Sequence, residues 1–375
     1  MKFSCERAML QREIAFAQEI IASKNVNSML SNIFLEADGE YLNIKATDIK
    51  VNFETKLIVR VDEPGSTTVF CDKVLRILST LPDGEMEFED QDSILSIRPL
   101  GARTKKQFKL KTLSPEQFPE LPEAPEDKFF QIPVSEFKEM INQTIFSVSN
   151  DDTRYFMTGS LFLKTEGKFI MVATDGRRMA YIDKPAEEDI PDFEGVIIPP
   201  KILQIVAKHT GDEGLIFVAI TEKIIFIQFG LYHLSSALID GSFPNWKRVI
   251  PESQESVVSF NRQDLLDAIR SVSILIEHNA TRTYLKIKPR AEGQPETIFV
   301  YSEEGESGTA EAEIPCTYEK PEETTIAINY RYFVEPLRVM STDEAEIHFT
   351  DPTKALTLNP SPEDNLFHII MPMQV

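Results

Sequence analysis

Cysteine is scarce in this chain of 375 residues, which has three, and histidine and tryptophan number only five and one. The cysteines lie far apart and form no C-x-x-C pair, which argues against a disulfide framework or a zinc knuckle and fits a reducing compartment. No window approaches about 18 consecutive apolar residues, and no apolar segment precedes a cleavage site near the N-terminus. We therefore expect a cytoplasmic protein without a membrane span.

Catalytic motifs are missing as well. The sequence has no H-E-x-x-H segment, no Gly-rich phosphate loop and nothing that resembles a nucleophile–base pair. Asp151-Asp152 and Asp175 are the candidate Mg²⁺ ligands, but neither has a His or a third carboxylate at metal-site spacing. Asp175-Gly176 lies between two alternating apolar segments, which predicts a hairpin turn. A metal-dependent nuclease is the third-ranked alternative, and we expect no enzyme activity, no cofactor and no metal.

Positive charge is also in short supply, since 39 basic residues face 60 acidic ones and the net charge is −21. An evenly spread negative charge would repel nucleic acid. The six segments predicted as helices carry +2 together, however, so the rest of the chain carries −23. They are residues 6–21, 71–81, 134–146, 200–210, 261–276 and 329–341.

This charge split would let the helices face one polyanion while the strands and loops repel others. The basic side chains of the predicted helices suit contact with phosphate without sequence preference, because Asn, Gln and Arg, the residues that read bases, are not clustered on any one helix. For any single cation a solvated helix face is the alternative. The candidate contacts are Arg7, Arg12, Lys73, Arg76, Lys138, Lys201, Lys208, Arg262, Arg270, Arg331 and Arg338.

The chain repeats itself three times with a period near 127 residues. Each copy opens with an alternating strand and a helix, beginning at Phe3, Phe130 and Val258. A second helix and a hairpin then recur in register, and half of each copy resembles the other half. Joints at Phe118-Pro119 and Phe243-Pro244 separate the copies. We predict an α+β fold of three similar domains, each with two helices packed on antiparallel sheets, over residues 1–119, 128–244 and 255–375.

Two stretches of opposite charge lie in the first and third copies. Residues 103–111 carry five positive charges, whereas residues 303–313 are strongly acidic. A head-to-tail contact between two chains would pair these stretches, and a contact that closes would form a ring. The equally weighted alternative is that both are charged strand edges that discourage aggregation.

The C-terminus is unusually apolar. Residues 369–375 include Met371 and Met373, and methionine is over-used on surfaces that accept several partners. The alternative is a last core strand, which must hold for part of the segment, Ile369 and Met371.

Several stretches together resemble the beta subunit of bacterial DNA polymerase III, the ring-shaped sliding clamp, over essentially the whole chain. They include Met1-Lys2-Phe3, Phe108-Lys109-Leu110, Arg154-Tyr155-Phe156, Thr174-Asp175-Gly176-Arg177-Arg178-Met179, Asp240-Gly241-Ser242-Phe243-Pro244 and Met371-Pro372-Met373. The resemblance implies a head-to-tail homodimer that closes into a ring around duplex DNA, with helices lining the hole. It implies a processivity factor that performs no chemistry and that a loader ATPase opens.

The resemblance and the charge pattern together give three sets of candidate site residues. A pocket would bind short motifs with Gln, Leu and Phe from the polymerase III catalytic subunit, the clamp loader and other proteins, and Arg178 and Arg248 would orient the peptide. The pocket residues are Met157, Thr174, Gly176, Arg177, Arg178, Met179, Pro244, Arg248, Val249, Ile369, Met371, Pro372 and Met373. The DNA-facing residues are Lys24, Arg76, Arg154, Tyr155, Lys201 and Lys208. The dimer-interface residues are Arg103, Lys105, Phe108, Leu110, Ile274, Leu275, Glu303 and Glu304. The runner-up function is a repeat scaffold for protein interactions that does not encircle DNA.

Overall fold

The structure is a computed structural model that describes residues 1–21, 29–101, 105–277, 280–291, 294–305 and 308–374. Two of the predicted site residues, Lys24 and Arg103, lie outside this range. The described residues form six α-helices, one in each segment where the sequence predicts a helix. They are α1 Arg7–Ile20, α2 Cys71–Thr80, α3 Val134–Thr144, α4 Pro200–His209, α5 Arg262–Ser273 and α6 Tyr330–Val339.

The strands are short and antiparallel to their neighbours. The first half of the chain contains β1 Lys2–Glu6, β2 Asn32–Asp38, β3 Tyr41–Thr47, β4 Val51–Ile58, β5 Arg60–Glu63, β6 Gly65–Phe70, β7 Glu85–Gln91, β8 Ile94–Pro99, β9 Phe108–Lys111, β10 Phe130–Pro133, β11 Ser160–Thr165, β12 Lys168–Thr174 and β13 Arg178–Pro185. The second half contains β14 Phe193–Ile198, β15 Leu215–Ile220, β16 Ile224–Phe229, β17 Tyr232–Ala237, β18 Ser256–Asn261, β19 Arg282–Lys288, β20 Thr297–Tyr301, β21 Glu311–Pro315, β22 Thr317–Tyr318, β23 Thr324–Asn329, β24 Glu344–Phe349, β25 Leu356–Ser361 and β26 Leu366–Ile370.

The threefold repeat is confirmed by the order of these elements. A strand runs directly into a helix at β1–α1, β10–α3 and β18–α5, and again at β6–α2, β14–α4 and β23–α6. The predicted hairpins are the pairs β7–β8, β15–β16 and β24–β25. The helices form because their apolar residues recur at helical spacing: Leu10, Ile14 and Ala17 of α1 are all fully buried.

The chain forms two compact units. The first comprises residues 1–134 and 204–238, and the second comprises residues 135–203 and 239–375. The first unit contains a five-stranded sheet with the order β5-β1-β7-β8-β9 and an eight-stranded sheet with the order β10-β15-β16-β17-β4-β3-β2-β6. Phe3 and Phe88 stack in its core at 4.8 Å between ring centroids.

The second unit contains a nine-stranded sheet with the order β14-β11-β12-β13-β26-β25-β24-β18-β22 and a four-stranded sheet with the order β21-β20-β19-β23. Its buried aromatic residues include Phe137, Phe162, Phe260 and Phe333. The strands of residues 128–244 therefore divide between two long sheets, because β17 pairs with β4 and β13 pairs with β26. The three domain boundaries named above remain predictions.

No helix among the described residues combines the length and the apolar character that a membrane crossing requires.

Candidate functional site

A cavity of about 180 Å³ opens on the second unit. Three segments that are distant in sequence form most of it: the β12–β13 turn with its flanking residues, the residues after Phe243, and the end of β26; Met157 and Ala355 come from two further segments. We call it the apolar cavity. Its lining residues are Met157, Thr174, Gly176, Arg177, Arg178, Met179, Pro244, Asn245, Trp246, Val249, Ala355, Ile369 and Met371.

Ten of the thirteen residues predicted for the pocket line this cavity. The other three lie nearby. Arg248 lines a neighbouring groove, and Pro372 and Met373 are half-buried just beyond β26. The structure adds three lining residues that the sequence argument missed, Asn245, Trp246 and Ala355. The single tryptophan beside Pro244 was an available signal, because large aromatic residues are enriched at binding surfaces.

The floor of the cavity is built by the pairing of β13 with β26. Met179 lies opposite Ile369, and both side chains join a buried cluster with Leu161, Val172 and Ile197. Because side chains alternate across a strand, the next pair, Ala180 and His368, lies on the opposite face of the sheet. The register of a single strand pair thus decides which residues reach the cavity.

The turn between β12 and β13 is held by a dense set of hydrogen bonds. The Asp175 carboxylate accepts the backbone N–H groups of Arg177 at 2.9 Å and of Arg178 at 3.0 Å. The hydroxyl of Thr174 donates to the Arg178 carbonyl at 2.6 Å and accepts the Gly176 N–H at 3.1 Å. Gly176 has φ +86°, which a residue with a Cβ adopts only with strain. The hairpin turn predicted at Asp175-Gly176 is confirmed, and it leaves Arg177 exposed at the rim.

The guanidinium of Arg178 is engaged within the chain. Its Nε donates to Asp175 at 3.1 Å, and its two Nη atoms donate to Glu335 and to the Phe146 carbonyl. Its Cζ lies 4.6 Å from the ring centroid of Tyr332. The side chain is only 10% exposed. Arg178 therefore borders the apolar cavity, but these contacts with other elements of the fold occupy all three of its nitrogen atoms.

Trp246 lines the apolar cavity and belongs to an aromatic group. Tyr181 stacks on Phe367 at 4.6 Å between centroids and contacts Trp246 at 5.3 Å. Lys247 lies 5.5 Å above the Trp246 ring. Burial, and then the neighbouring Asp183 carboxylate, raise the pKa of Tyr181. The stack fixes the indole, which belongs to a short 3₁₀ helix, Trp246–Val249.

The end of the chain completes the cavity. The N–H of Met371 donates to the Arg177 carbonyl at 2.9 Å, and the N–H of Met373 donates to the Ala327 carbonyl at 2.8 Å. The strand β26 ends at Ile370, so these bonds hold a segment outside the sheet. Met371 is 45% exposed although it lines the cavity. An apolar side chain left open to water in this way is available to a ligand. The predicted last core strand thus extends only to Ile370, and Met371 belongs to the surface.

Beneath the floor, on the other face of β26, His368 is buried. Neither of its ring nitrogens has a hydrogen-bond partner among the described residues, and its ring lies 5.7 Å from that of Phe146. Burial, and secondly the charge of Arg178, lower the pKa of His368 to about 3. The imidazole is therefore neutral at physiological pH.

The described DNA-facing candidates lie on exposed or half-exposed surface, and several are bound to carboxylates. Arg76 pairs with Asp72 at 2.9 Å and Lys208 pairs with Glu19 at 2.8 Å. Lys201 is half-buried at the start of α4.

Arg154 and Tyr155 lie on a 3₁₀ helix, Asp152–Met157, next to the apolar cavity. Arg154 pairs with Asp151 at 3.0 Å, and a Cβ on Gly176 would lie 2.8 Å from its Nη1. Tyr155 is 52% exposed. Hydrogen bonds from Thr153, and then from Arg154, hold the pKa of Asp151 below its usual range.

The described candidate dimer residues lie on an edge strand of the first unit and near the end of α5 in the second. Phe108 and Leu110 are half-buried on β9, the last strand of its sheet, and Lys105 precedes them in an exposed position. In the second unit, Ile274 is 79% exposed just after α5.

Leu275, Glu303 and Glu304 line a cavity of about 170 Å³ near the end of α5. Glu303 already accepts hydrogen bonds from Arg282 at 3.2 Å and from the Tyr284 hydroxyl. Those bonds, from Tyr284 and then from Arg282, lower the pKa of its carboxyl group.

Among the described residues, no group of three or more His, Cys, Asp or Glu side chains is arranged to hold a metal ion. Two of the three carboxylates considered for Mg²⁺ have other partners: Asp151 binds Arg154, and Asp175 binds Arg178.

Comparisons with known proteins cover the whole chain. Family models for the DNA polymerase III beta subunit match it in three consecutive pieces: the N-terminal domain over residues 1–122, the central domain over residues 131–245 and the C-terminal domain over residues 247–374. The beta sliding clamp of Treponema pallidum (strain Nichols) is 42% identical over 374 residues, with 100% of both chains covered.

Solved structures agree with this match. The DNA polymerase sliding clamp from Bacillus subtilis is 25% identical with a TM-score of 0.92, and the alignment covers 100% of this chain and 99% of that one. A DnaN sliding clamp from Pseudomonas aeruginosa, solved bound to griselimycin, is 25% identical with a TM-score of 0.90 and full coverage of both chains.

Proposed function

Because this chain belongs to the DNA polymerase III beta subunit family, we propose that it acts as a sliding clamp. It is a processivity factor that encircles duplex DNA and tethers the replicative polymerase to it. The observation that carries this proposal is the likeness to beta sliding clamps along the entire chain. The alternative of a repeat scaffold that does not encircle DNA is not favoured by that full-length match.

We propose that two copies close head to tail into a ring. Support comes from two edge strands, β9 in the first unit and β21 in the second, that pair with one neighbour each among the described residues. The edge β9 carries Lys109 and Lys111, whereas β21 carries Glu311 and Glu313. An unpaired edge offers backbone N–H and C=O groups to another strand, and opposite charges favour one register. The apolar side chains of Phe108 and Ile274 would supply the core of the contact.

DNA would be held by topology more than by contacts. The helices are neutral to slightly basic in a chain with net charge −21. Cations such as Arg76 and Lys208 already pair with carboxylates, so their attraction for phosphate is weakened. We expect binding without sequence preference, which is weak and salt-sensitive until the ring surrounds the duplex.

The apolar cavity is the proposed partner site. Its methionines supply an adaptable apolar surface, and the griselimycin complex of the P. aeruginosa relative is a precedent for ligand binding in the family. Partners would include the polymerase III catalytic subunit, the clamp loader and other proteins with short Gln, Leu and Phe motifs. A buried Leu or Phe anchor contributes about 1.5–3 kcal/mol, so two anchors with polar contacts suggest micromolar affinity after the costs of binding.

The protein itself would catalyse no reaction and would need no cofactor. It would work in the cytoplasm of a bacterium, where the chromosome is replicated. A clamp loader ATPase from a bacterial relative would be needed to open the ring in an assay.

The test of encirclement is retention on DNA of different topology. The labelled protein is loaded by a clamp loader onto a nicked circular plasmid, and the complex is passed through a gel-filtration column in high salt. We expect retention on the circle and rapid loss after a restriction enzyme linearises it, because a ring slides off a free end. Equal retention on cut and uncut DNA would refute encirclement.

A further inference from the structure

A second groove adjoins the apolar cavity and shares Val249 and Ala355 with it. This side groove, as we call it, has a volume of about 450 Å³ and runs between the segment after Trp246 and the β24–β25 turn. Its lining residues are Arg248, Val249, Ile250, Pro251, Glu252, Ser253, Gln254, Thr350, Lys354 and Ala355. Because the two share lining residues, a peptide seated in the apolar cavity would extend directly into the side groove.

The side groove is shaped by bonds between its two walls. The Gln254 Nε2 donates to the Ala355 carbonyl at 3.2 Å, and the Thr350 hydroxyl donates to the Ser253 carbonyl at 3.2 Å. At the turn, the Asp351 carboxylate accepts the N–H of Thr353 at 2.7 Å and its hydroxyl at 2.6 Å. These contacts fix both walls before a ligand arrives, which reduces the ordering cost of binding.

Two cations, Arg248 and Lys354, line the side groove. Arg248 and Lys354 are exposed, and neither forms an ion pair with any residue that the structure describes. Lys354 contributes to the lowered pKa of Asp351, but Thr353 makes the larger contribution by binding that carboxylate. Glu252 places one carboxylate in the lining, which leaves a positive balance over Arg248, Lys354 and Glu252.

We propose that the side groove binds acidic side chains that flank the apolar anchors of a partner peptide. This inference rests on the proposed peptide-binding function of the apolar cavity and specifies the chemistry of its ligands. Two unpaired cations beside an apolar cavity favour a ligand with carboxylates next to large apolar residues. The net charge of −21 would oppose acidic ligands at long range. Charges beyond about 8 Å are screened at physiological salt, however, so the nearby cations of the side groove determine the preference.

The experiment compares two peptides with the same Gln, Leu and Phe residues. One carries two Glu residues on each side of the anchors, and the other carries Gln at those positions. Binding to the full chain is followed by the fluorescence of Trp246, the only tryptophan, which lines the apolar cavity. We expect the Glu-flanked peptide to bind roughly three to ten times more tightly at low salt, because partly exposed ion pairs are individually weak.

Variants locate the effect. The double change Arg248→Gln with Lys354→Gln should remove the difference between the peptides, whereas Glu252→Gln should enlarge it. Lys223→Gln, an exposed cation of the first unit, is the matched control and should leave the difference unchanged. Salt at about 1 M should abolish the preference, since the screening length falls to about 3 Å.

The outcomes separate this inference from the proposed function. If both peptides bind equally, the apolar cavity is a peptide site and the inference is overturned. If the preference survives in the double variant, the side groove is not its source and the inference also fails. If a short DNA duplex competes with the Glu-flanked peptide for the wild type but not for the double variant, the two cations bind DNA phosphates instead, and the inference is overturned. If neither peptide binds, the proposed pocket fails and the inference with it.

Discussion

Met179 and Ile369 face each other across two neighbouring antiparallel strands, and both side chains line the apolar cavity. One belongs to the middle of the chain and the other lies near its end. The cavity therefore exists only when β26 is paired with β13. The residues after Ile370 lie outside that pairing, so the ligand site and the fold can be separated by experiment.

Deletion of residues 371–375 should abolish peptide binding while the fold survives. It removes Met371 from the cavity and two backbone hydrogen bonds beyond the sheet, those of Met371 and Met373, but leaves every pair of β26 intact. We expect at least a tenfold loss of affinity for a peptide with Gln and Leu, measured by calorimetry, and a melting temperature within a few degrees of wild type. Deletion of residues 374–375 alone is the control and should bind normally. A 371–375 deletion that binds at wild-type strength would show that the site has been misplaced.

Arg178→Met should destabilise the second unit. The change removes the cation that Asp175 and Glu335 share and leaves the Phe146 carbonyl without a donor. Loss of one partner from a largely buried pair costs about 3 kcal/mol in the free energy of unfolding. Arg177→Met, at the exposed neighbouring position, should change that free energy by no more than about 0.5 kcal/mol. Identical urea midpoints for the two variants would contradict the role assigned to the Arg178 network.

His368 should make the protein sensitive to acid. Its folded-state pKa of about 3 lies below the ordinary value of 6.5, so below pH 6.5 the unfolded chain binds a proton that the folded chain does not. Stability is therefore lost as the pH falls from about 6.5 towards 3, and the loss at pH 5 is about 2 kcal/mol. His368→Leu should remove this part of the acid sensitivity without breaking a hydrogen bond.

The measurement is urea unfolding of both proteins at pH 7 and pH 5, at one protein concentration. The difference in the free energy of unfolding between wild type and His368→Leu should change by about 2 kcal/mol in favour of the variant when the pH falls from 7 to 5. His233→Gln, at an exposed histidine, should show no such shift. The buried-histidine account fails if His368→Leu and wild type lose stability equally.

Ile274→Ala combined with Leu275→Ala should convert the dimer into monomers. Ile274 is 79% exposed in the isolated chain, so its truncation should cost the folded monomer little. The same pair of truncations at Ile49 and Ile58, which are exposed in the first unit, should leave the dimer unchanged. Analytical ultracentrifugation at micromolar concentration distinguishes the two results. A wild-type chain that sediments as a monomer would overturn the head-to-tail ring.

Local patterns were enough to predict the helices and the repeat. In α1, Leu10 and Ile14 recur four residues apart and are fully buried, and the same spacing marks the other copies. Such a pattern depends only on the spacing of apolar residues within one helix or strand, so it can be recognised without knowing which elements that helix or strand packs against. Most of the cavity residues could be named in advance only because the chain resembles a family.

Pairing between distant strands was not visible in the sequence. Arg178 borders the cavity, but its guanidinium donates to Glu335 and to the Phe146 carbonyl, which lie on other elements of the fold and which no local pattern connects to it. The pairs β17–β4 and β13–β26 likewise join segments more than 170 residues apart. Trp246 was missed because it lies in a short 3₁₀ helix between strands. A segment of four residues is too short to show a repeating apolar pattern that would indicate which side chains are buried.

The pairing of β13 with β26 would bear a mechanical load if a moving polymerase were tethered at the apolar cavity. A pull on a bound peptide is shared by five consecutive residue pairs, from Arg178 opposite Ile370 to Ile182 opposite Leu366, and by the strands on either side. The peptide itself would be held by a few side-chain contacts and by the tail around Met371. We therefore expect a bound peptide to detach under tension before the sheet opens, which would leave the ring on DNA while one tethered enzyme is exchanged for the next.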